Sequence, residues 1–305
     1  MNYKKKLKII DYNNKMIHPE YQYLKLVKNI ISMGYKQKGR NGNTRYLIGQ
    51  QMRFPLSDNT IPLITTKKLA WKVCLKELLW FISGKTDNTI LQKQGVKIWN
   101  DNASEEFLRS RGLIDNFEGD LGPIYGHQWR HYNAPYIDTD VDYKGNGIDQ
   151  LQNMIDMLKD KEGRNSRRLI LSAWNPNQLD MMALPPCHVM FQCHVINNSK
   201  LSLSLYQRSG DVGLGIPFNI ASYSFLTHMI ARTCDLEPYE FIHFIGNAHI
   251  YEEHMVPLLH QVRRKPCEFP KIQLNYKSNI DDYTLEDITI ENYKYHEKIN
   301  MNMKA

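Results

Sequence analysis

One group capable of covalent chemistry is a cysteine set behind two prolines, Leu184-Pro185-Pro186-Cys187-His188. The thiolate is the reactive form, and the prolines fix the approach to it by locking φ and removing backbone donors. His188 follows directly, and several arginines are available to lower the thiol pKa. A free cysteine is more often a small buried hydrophobe, so the thiol alone does not make a nucleophile. Further on, Arg208-Ser209-Gly210-Asp211, with Gly213 and Gly215, reads as a turn. Such a turn presents a guanidinium, a hydroxyl and backbone N–H groups to an anion. A thiol and an anion site this close in sequence suggest a covalent enzyme acting on a charged ligand.

Asn219, in Pro217-Phe218-Asn219-Ile220-Ala221-Ser222-Tyr223, adds an amide to that stretch. An amide carries both a donor and an acceptor. If the ligand is a pyrimidine, an asparagine matches the N3–H and O4 edge of uracil. A cytosine edge has the opposite exocyclic pattern and suits an aspartate. Two other residues stand out by their surroundings. Glu77 lies inside the apolar run Lys76-Glu77-Leu78-Leu79-Trp80-Phe81, where a carboxylate is costly to bury unless it is paired or used. Tyr125 lies in Gly119-Asp120-Leu121-Gly122-Pro123-Ile124-Tyr125-Gly126, a loop shaped by glycine and proline.

The elements that position these groups follow from periodicity. Helical spacing runs from Tyr21 through Leu24, Val27, Ile30 and Ile31 to a stop at Gly34. Lys38 to Thr44 is a basic, turn-rich loop that can offer Arg40 to an anion. Residues 45–54 and 61–66 read as strands, and Lys67 to Phe81 as an amphipathic helix. Residues 149–160 read as a helix. Asn165-Ser166-Arg167-Arg168 then leads into a short buried strand. An arginine pair there is a solvated edge or a phosphate clamp. Val189–Ile196 and Leu201–Gln207 form a hairpin, since Leu201, Leu203 and Leu205 alternate with Ser202 and Ser204. Pro217 opens a long apolar helix through Ile230, residues 240–245 read as a strand, and His249-Ile250-Tyr251 as the start of a helix. Short strands and a tail follow.

Composition bounds the class. There are 305 residues, 42% of them hydrophobic, with a net charge of +7. That supports a sizeable core and anionic ligands without choosing among them. Cys74, Cys187, Cys193, Cys234 and Cys267 are widely spaced, with no Cys-x-x-Cys and no Cys/His block. Free thiols in a reducing compartment fit best, and a metal site is not expected. No run approaches a membrane span and no signal peptide is legible. The expected location is cytoplasmic.

Taken together, these motifs closely resemble thymidylate synthase, the folate-dependent family that methylates deoxyuridylate. The resemblance runs through Glu77–Phe81, Gly119–Gly126, Ser166-Arg167-Arg168, Leu184–His188, Gln207–Asp211, Pro217–Tyr223 and His249-Ile250-Tyr251, in the family's order and spacing. It covers residue 20 or so to the C-terminus. It implies a mixed α/β (α+β) fold: one domain, residues 21–305, with a mixed twisted sheet flanked by helices and one sheet face used for dimerisation. The resemblance does not explain residues 1–20, whose polar composition, rich in Asn and Lys, reads as a flexible extension. It implies that Cys187 attacks C6 of the uracil. Glu77 and Tyr125 would arrange proton transfers through water, and His188, Asn219 and Asp211 would complete the catalytic group. Arg40, Gln207, Arg208, Ser209, Asp211, Asn219, His249 and Tyr251 would hold deoxyuridylate (dUMP), with Arg167 and Arg168 donated across a homodimer. Lys67, Ile98, Trp99, Asp211, Leu214, Phe218 and Ala305 would face the co-substrate, 5,10-methylenetetrahydrofolate. Three positions depart from the family pattern: Asn100 and Asn247, where aspartate is usual, and Lys304, where a small apolar residue is usual. A hydroxymethylase on the same scaffold is the nearest rival. A nucleic-acid-binding role rests on charge alone, without a module to support it.

Overall fold

The computed structural model describes residues 17–39 and 41–303. The apolar spacing from Tyr21 folds as α1 (Tyr21–Met33), with Tyr23, Leu24, Val27 and Ile30 buried. Next come β1 (Tyr35–Gly39), β2 (Gly42–Pro55), α2 (Trp71–Ile82), α3 (Asn88–Lys93), α4 (Glu105–Ser110), α5 (Tyr125–Arg130) and α6 (Gln150–Lys159). The second half supplies β3 (Ile170–Ser172), β4 (His188–Ile196), β5 (Lys200–Asp211), α7 (Gly215–Thr233), β6 (Glu237–Tyr251), α8 (Met255–Gln261), β7 (Lys271–Leu274) and β8 (Ile288–Glu291).

Six strands form one sheet in the order β1-β2-β6-β5-β4-β3, and β7 and β8 form a separate pair. The β5–β6 pairing is parallel and the other pairings are antiparallel, so the sheet is mixed. One face packs on the helices. α7 lies against β5 and β6, α2 lies against α7, and α1 covers β2 and β6. α7 is buried over most of its circumference, as a central helix must be. The opposite face is open. Along one row of register partners Gln51, Phe244 and Tyr206 are exposed, and Met190 is half-buried.

Several sequence expectations are corrected. Residues 61–66 form no strand. Ile61 donates to the Pro270 carbonyl, and the N–H groups of Thr65 and Thr66 donate to the Glu20 carboxylate at 2.9 and 2.8 Å. Their donors are used without a ladder. The same bonds place Glu20, fully buried, inside the folded body, so the proposed extension cannot run to residue 20. Residues 1–16 lie outside the described residues. The helix expected from Lys67 starts at Trp71; ahead of it, Leu69 donates its N–H to the Tyr293 hydroxyl at 3.0 Å. The segment Arg208–Asp211 is not a turn. It continues β5, with Ser209, Gly210 and Asp211 paired to Asn247, Ala248 and His249. His249-Ile250-Tyr251 likewise ends β6 rather than starting a helix, held by β5 on one side and by Tyr46, Arg45 and Thr44 of β2 on the other.

Candidate active site

The Cys187 loop enters β4 beside β5 and is fastened there. Arg208 donates its backbone N–H to Cys187 O at 2.9 Å. Its guanidinium donates through Nε to Pro186 O at 2.9 Å and through Nη2 to Pro185 O at 2.8 Å. The same guanidinium lies 5.9 Å from the Trp174 ring centre. The prolines lack donors, so their carbonyls are the groups available to hold this loop, and Arg208 takes both. Cys187 is half-buried. Burial pushes its thiol above the ordinary value, and Arg208 pulls it back only in part. The expected arginine effect is present, therefore, but burial outweighs it.

Tyr125 begins α5 with its hydroxyl turned to the cysteine loop. The hydroxyl accepts from Cys187 N–H at 2.7 Å and from His188 N–H at 3.4 Å. Burial, with Cys187 and Glu77 nearby, raises the phenol well above its ordinary value, so it stays protonated. The glycine before this helix is required: Gly122 has φ +73°, and a Cβ there would collide with the Met181 carbonyl. Glu77, on α2, accepts from the Trp99 indole N–H at 2.8 Å. Burial raises its carboxyl from 4.5 to about 7 against that hydrogen bond. Trp99 and Tyr125 rings stand 6.2 Å apart, which brings Glu77, Trp99, Tyr125 and Cys187 into one neighbourhood.

Asn219 is in the first turns of α7. Its Oδ1 accepts from Gln207 Nε2 at 3.0 Å. His188 is buried and near Asn219, and burial lowers its pKa to about 4, leaving a neutral ring. Asp211 ends β5. Its carboxylate accepts from Gly213 N–H at 2.8 Å and Leu214 N–H at 3.3 Å, just ahead of α7. Lys67 is buried. Its ammonium donates to Gly213 O, and burial lowers it to about 8 while Asp211 opposes that shift. Ser209 Oγ is 3.4 Å from His249 Nδ1, and His249 and Tyr251 rings are 5.5 Å apart. Ile98, Trp99, Leu214 and Phe218 are all half-buried, consistent with apolar walls left partly open.

Arg167 and Arg168 are exposed at the far edge of the sheet, before β3, and do not join this cluster within the chain. Arg40 and Ala305 lie outside the described residues, as does Lys304. Of the departures, Asn100 Oδ1 accepts from Asn88 and Gln92 at 3.2 Å each, a role open to an aspartate as well. Asn247 pairs with Ser209 in the parallel ladder.

Two residues near the site were missed by sequence reading. His243 is fully buried on β6 and meets Gln207 Oε1 at 2.8 Å. His254 is buried between Asp211 and the tail, with Nε2 2.8 Å from Asn302 O and Nδ1 3.9 Å from Asp211 Oδ1. Asp211 favours its charged form over the burial cost, so its pKa is raised. The available signal for His243 was a polar residue inside an otherwise apolar strand, Phe241-Ile242-His243-Phe244-Ile245. A separate cavity of about 640 Å³, lined by Lys85, His127, Arg130 and His131 among others, shares no residue with this cluster.

The family described as thymidylate synthase matches residues 21–305. Human thymidylate synthase is 50% identical over 288 residues, covering 94% of this chain and 91% of that protein. A bifunctional dihydrofolate reductase-thymidylate synthase of Zea mays is 51% identical over 288 residues, covering 94% of this chain and 54% of that protein. The Plasmodium chabaudi bifunctional protein is 50% identical over 290 residues, 94% and 49% respectively. The chain thus spans about half the length of its bifunctional relatives. With the match running from α1 to the end of the chain, the protein belongs to the thymidylate synthase family.

Proposed function

We propose that the chain reductively methylates dUMP to thymidylate (dTMP), with 5,10-methylenetetrahydrofolate as co-substrate. One observation carries the reading. Adjacent residues of β5 hold both halves of the site: Arg208 fastens the Cys187 loop, and Gln207 holds the Asn219 amide. A nucleophile and a pyrimidine reader are thereby set at a fixed separation.

In this reading Cys187 Sγ adds to C6 of the uracil, giving an enolate-like ring with a nucleophilic C5. The Asn219 amide stabilises charge on O4. The folate supplies a one-carbon unit and then a hydride. Glu77, with its carboxyl near neutrality, is matched to delivering a proton when the one-carbon unit is released to C5. The C5 proton leaves to water beside Tyr125. Hydride reduces the exocyclic methylene to methyl, the C6–S bond breaks, and Cys187 is regenerated. The half-buried faces of Trp99, Leu214 and Phe218, with the Asp211 carboxylate as acceptor, fit a flat heterocycle bearing N–H groups.

Arg208, Ser209, His249 and Tyr251 bind phosphate and ribose, and Arg40 completes the phosphate site. The open sheet face, with Tyr206 and Phe244 exposed in one row, supports a homodimer. Exposed Arg167 and Arg168 then reach the neighbouring subunit's phosphate. None of the five cysteines is disulfide-bonded, which supports a reducing compartment, the cytoplasm. Among the described residues no helix is long and apolar enough to cross a membrane.

The test is trapping with 5-fluorodeoxyuridylate and methylenetetrahydrofolate. Fluorine at C5 cannot leave as a proton, so a covalent adduct should accumulate on the Cys187 peptide. An adduct elsewhere, or none, refutes the assignment. Dihydrofolate formation in step with C5 proton release separates this activity from hydroxymethylation, which would release the proton without dihydrofolate.

A further inference from the structure

His243 is a polar residue on the buried face of the sheet, in register with Leu205 of β5 and Met52 of β2. Its Nε2 is 2.8 Å from Gln207 Oε1. The polarity of that contact can be deduced. Gln207 Nε2 lies 2.9 Å from the Ser209 carbonyl oxygen, which can only accept. The Gln207 nitrogen is therefore fixed on that side, and its oxygen faces His243. The His243 nitrogen at this contact must be N–H. Burial, with His188 nearby, lowers the His243 pKa to about 3, so the ring is neutral and Nδ1 is bare. Nδ1 is buried and has no hydrogen-bond partner.

The second proton on Gln207 Nε2 goes to Asn219 Oδ1 at 3.0 Å. Donors therefore run in one direction, from His243 to Gln207 to Asn219. This turns the Asn219 oxygen toward Gln207 and leaves its NH₂ for O4 of a uracil. The oxygen's second lone pair remains for N3–H. A cytosine edge requires the amide the other way round.

We propose that His243 is a specificity-determining residue: as the terminal donor of this relay, it latches Gln207 and Asn219 in the orientation that reads uracil and rejects cytosine. Reversing Asn219 alone places its NH₂ against the NH₂ of Gln207. Reversing both loses the Ser209 bond and places NH₂ against His243 N–H. Relieving that clash by moving the proton to Nδ1 leaves it with no acceptor. Each route strands a buried donor. Gly210 supports the relay, since a Cβ there would come within 2.9 Å of Gln207 Nε2. His243 acts through Gln207 and touches no ligand, so it is a positioning residue.

The inference rests on the proposed function, and the test separates the two. Dissociation constants for dUMP and for deoxycytidylate are measured by calorimetry on the wild-type chain and on His243→Phe. A wild-type chain with no preference for dUMP would sink the functional reading itself. Given that preference, His243→Phe should reduce the affinity ratio by about tenfold or more, the scale of one lost buried hydrogen bond. An unchanged ratio overturns the role of His243 and leaves the function standing, even if both affinities fall together. Should His243→Phe fail to fold, ¹⁵N NMR of the wild-type imidazole decides. A proton on Nε2, with no titration between about pH 5 and 8, is expected. A proton on Nδ1, or a titrating ring, refutes the relay.

Discussion

The Trp99 indole donates to Glu77 at 2.8 Å, a single hydrogen bond to a carboxyl that burial has already raised to about 7. The folded pKa lies above the ordinary 4.5, so the folded state holds the proton more tightly than the unfolded chain. The corresponding stability is complete below about 4.5 and is lost as pH rises through about 7. Glu77→Gln should remove that slope, raising stability at pH 8 by on the order of 2 kcal/mol in urea titrations. It should also cut kcat by about 10²–10⁴-fold. A wild-type kcat profile without an inflection near 7 would count against Glu77 as the proton donor.

Arg208 is the charge that lowers the Cys187 thiol against burial. Arg208→Ala should slow alkylation of Cys187 by iodoacetamide several-fold at a fixed pH, because less thiolate is present. Arg208→Lys should recover part of that rate through charge, but little activity. A lysine cannot hold the Pro185 and Pro186 carbonyls with a planar fork. Equal alkylation rates in all three proteins would show that the guanidinium does not govern the thiol.

Tyr125→Phe removes the acceptor for Cys187 N–H. The orphaned donor should cost about 1–3 kcal/mol in thermal or urea unfolding. If the hydroxyl serves the proton-removal step, as proposed, release of tritium from C5 should slow more than formation of the Cys187 adduct. Parallel losses in both steps would assign Tyr125 to loop geometry alone.

Glu20 accepts four hydrogen bonds, from the N–H groups and the hydroxyls of Thr65 and Thr66, at 2.6–2.9 Å. Glu20→Ala leaves the buried Thr65 and Thr66 N–H groups without their acceptor. A loss of about 3 kcal/mol in unfolding free energy is expected, with Glu20→Gln in between. A change below about 0.5 kcal/mol, the range of a surface substitution, would refute Glu20 as an anchor.

Legibility in the sequence followed the range of the interactions. The β4–β5 hairpin and α7 were readable because their periodicities are local. The ends of β5 and β6 were not. Ser209-Gly210-Asp211 has turn chemistry and His249-Ile250-Tyr251 helical spacing, yet each is held extended by the other strand. Residues 61–66 had the composition of a strand, but Glu20 had already claimed two of their donors. At the site, Cys187, Asn219 and Arg208 stand out by chemistry and resemblance, and β5 holds all three together, whereas Arg167 and Arg168 do not join them within the chain and Arg40 lies outside the described residues. His243 and His254 were missed because a histidine's role depends on which groups face it, and those groups come from other elements.

The antiparallel pairing of β2 with β6 has a consequence for how the protein is made. Phe54 faces Phe241, and Thr44 faces Tyr251. During synthesis β2 leaves the ribosome long before its partner exists, and β5 meets its parallel neighbour only when β6 follows. Such non-local pairings are slow and leave strand edges exposed meanwhile. The wall that carries Arg208 and Gln207 therefore cannot close until translation has passed Tyr251. A nascent chain stalled earlier would contain the Cys187 loop without the completed sheet that fastens it.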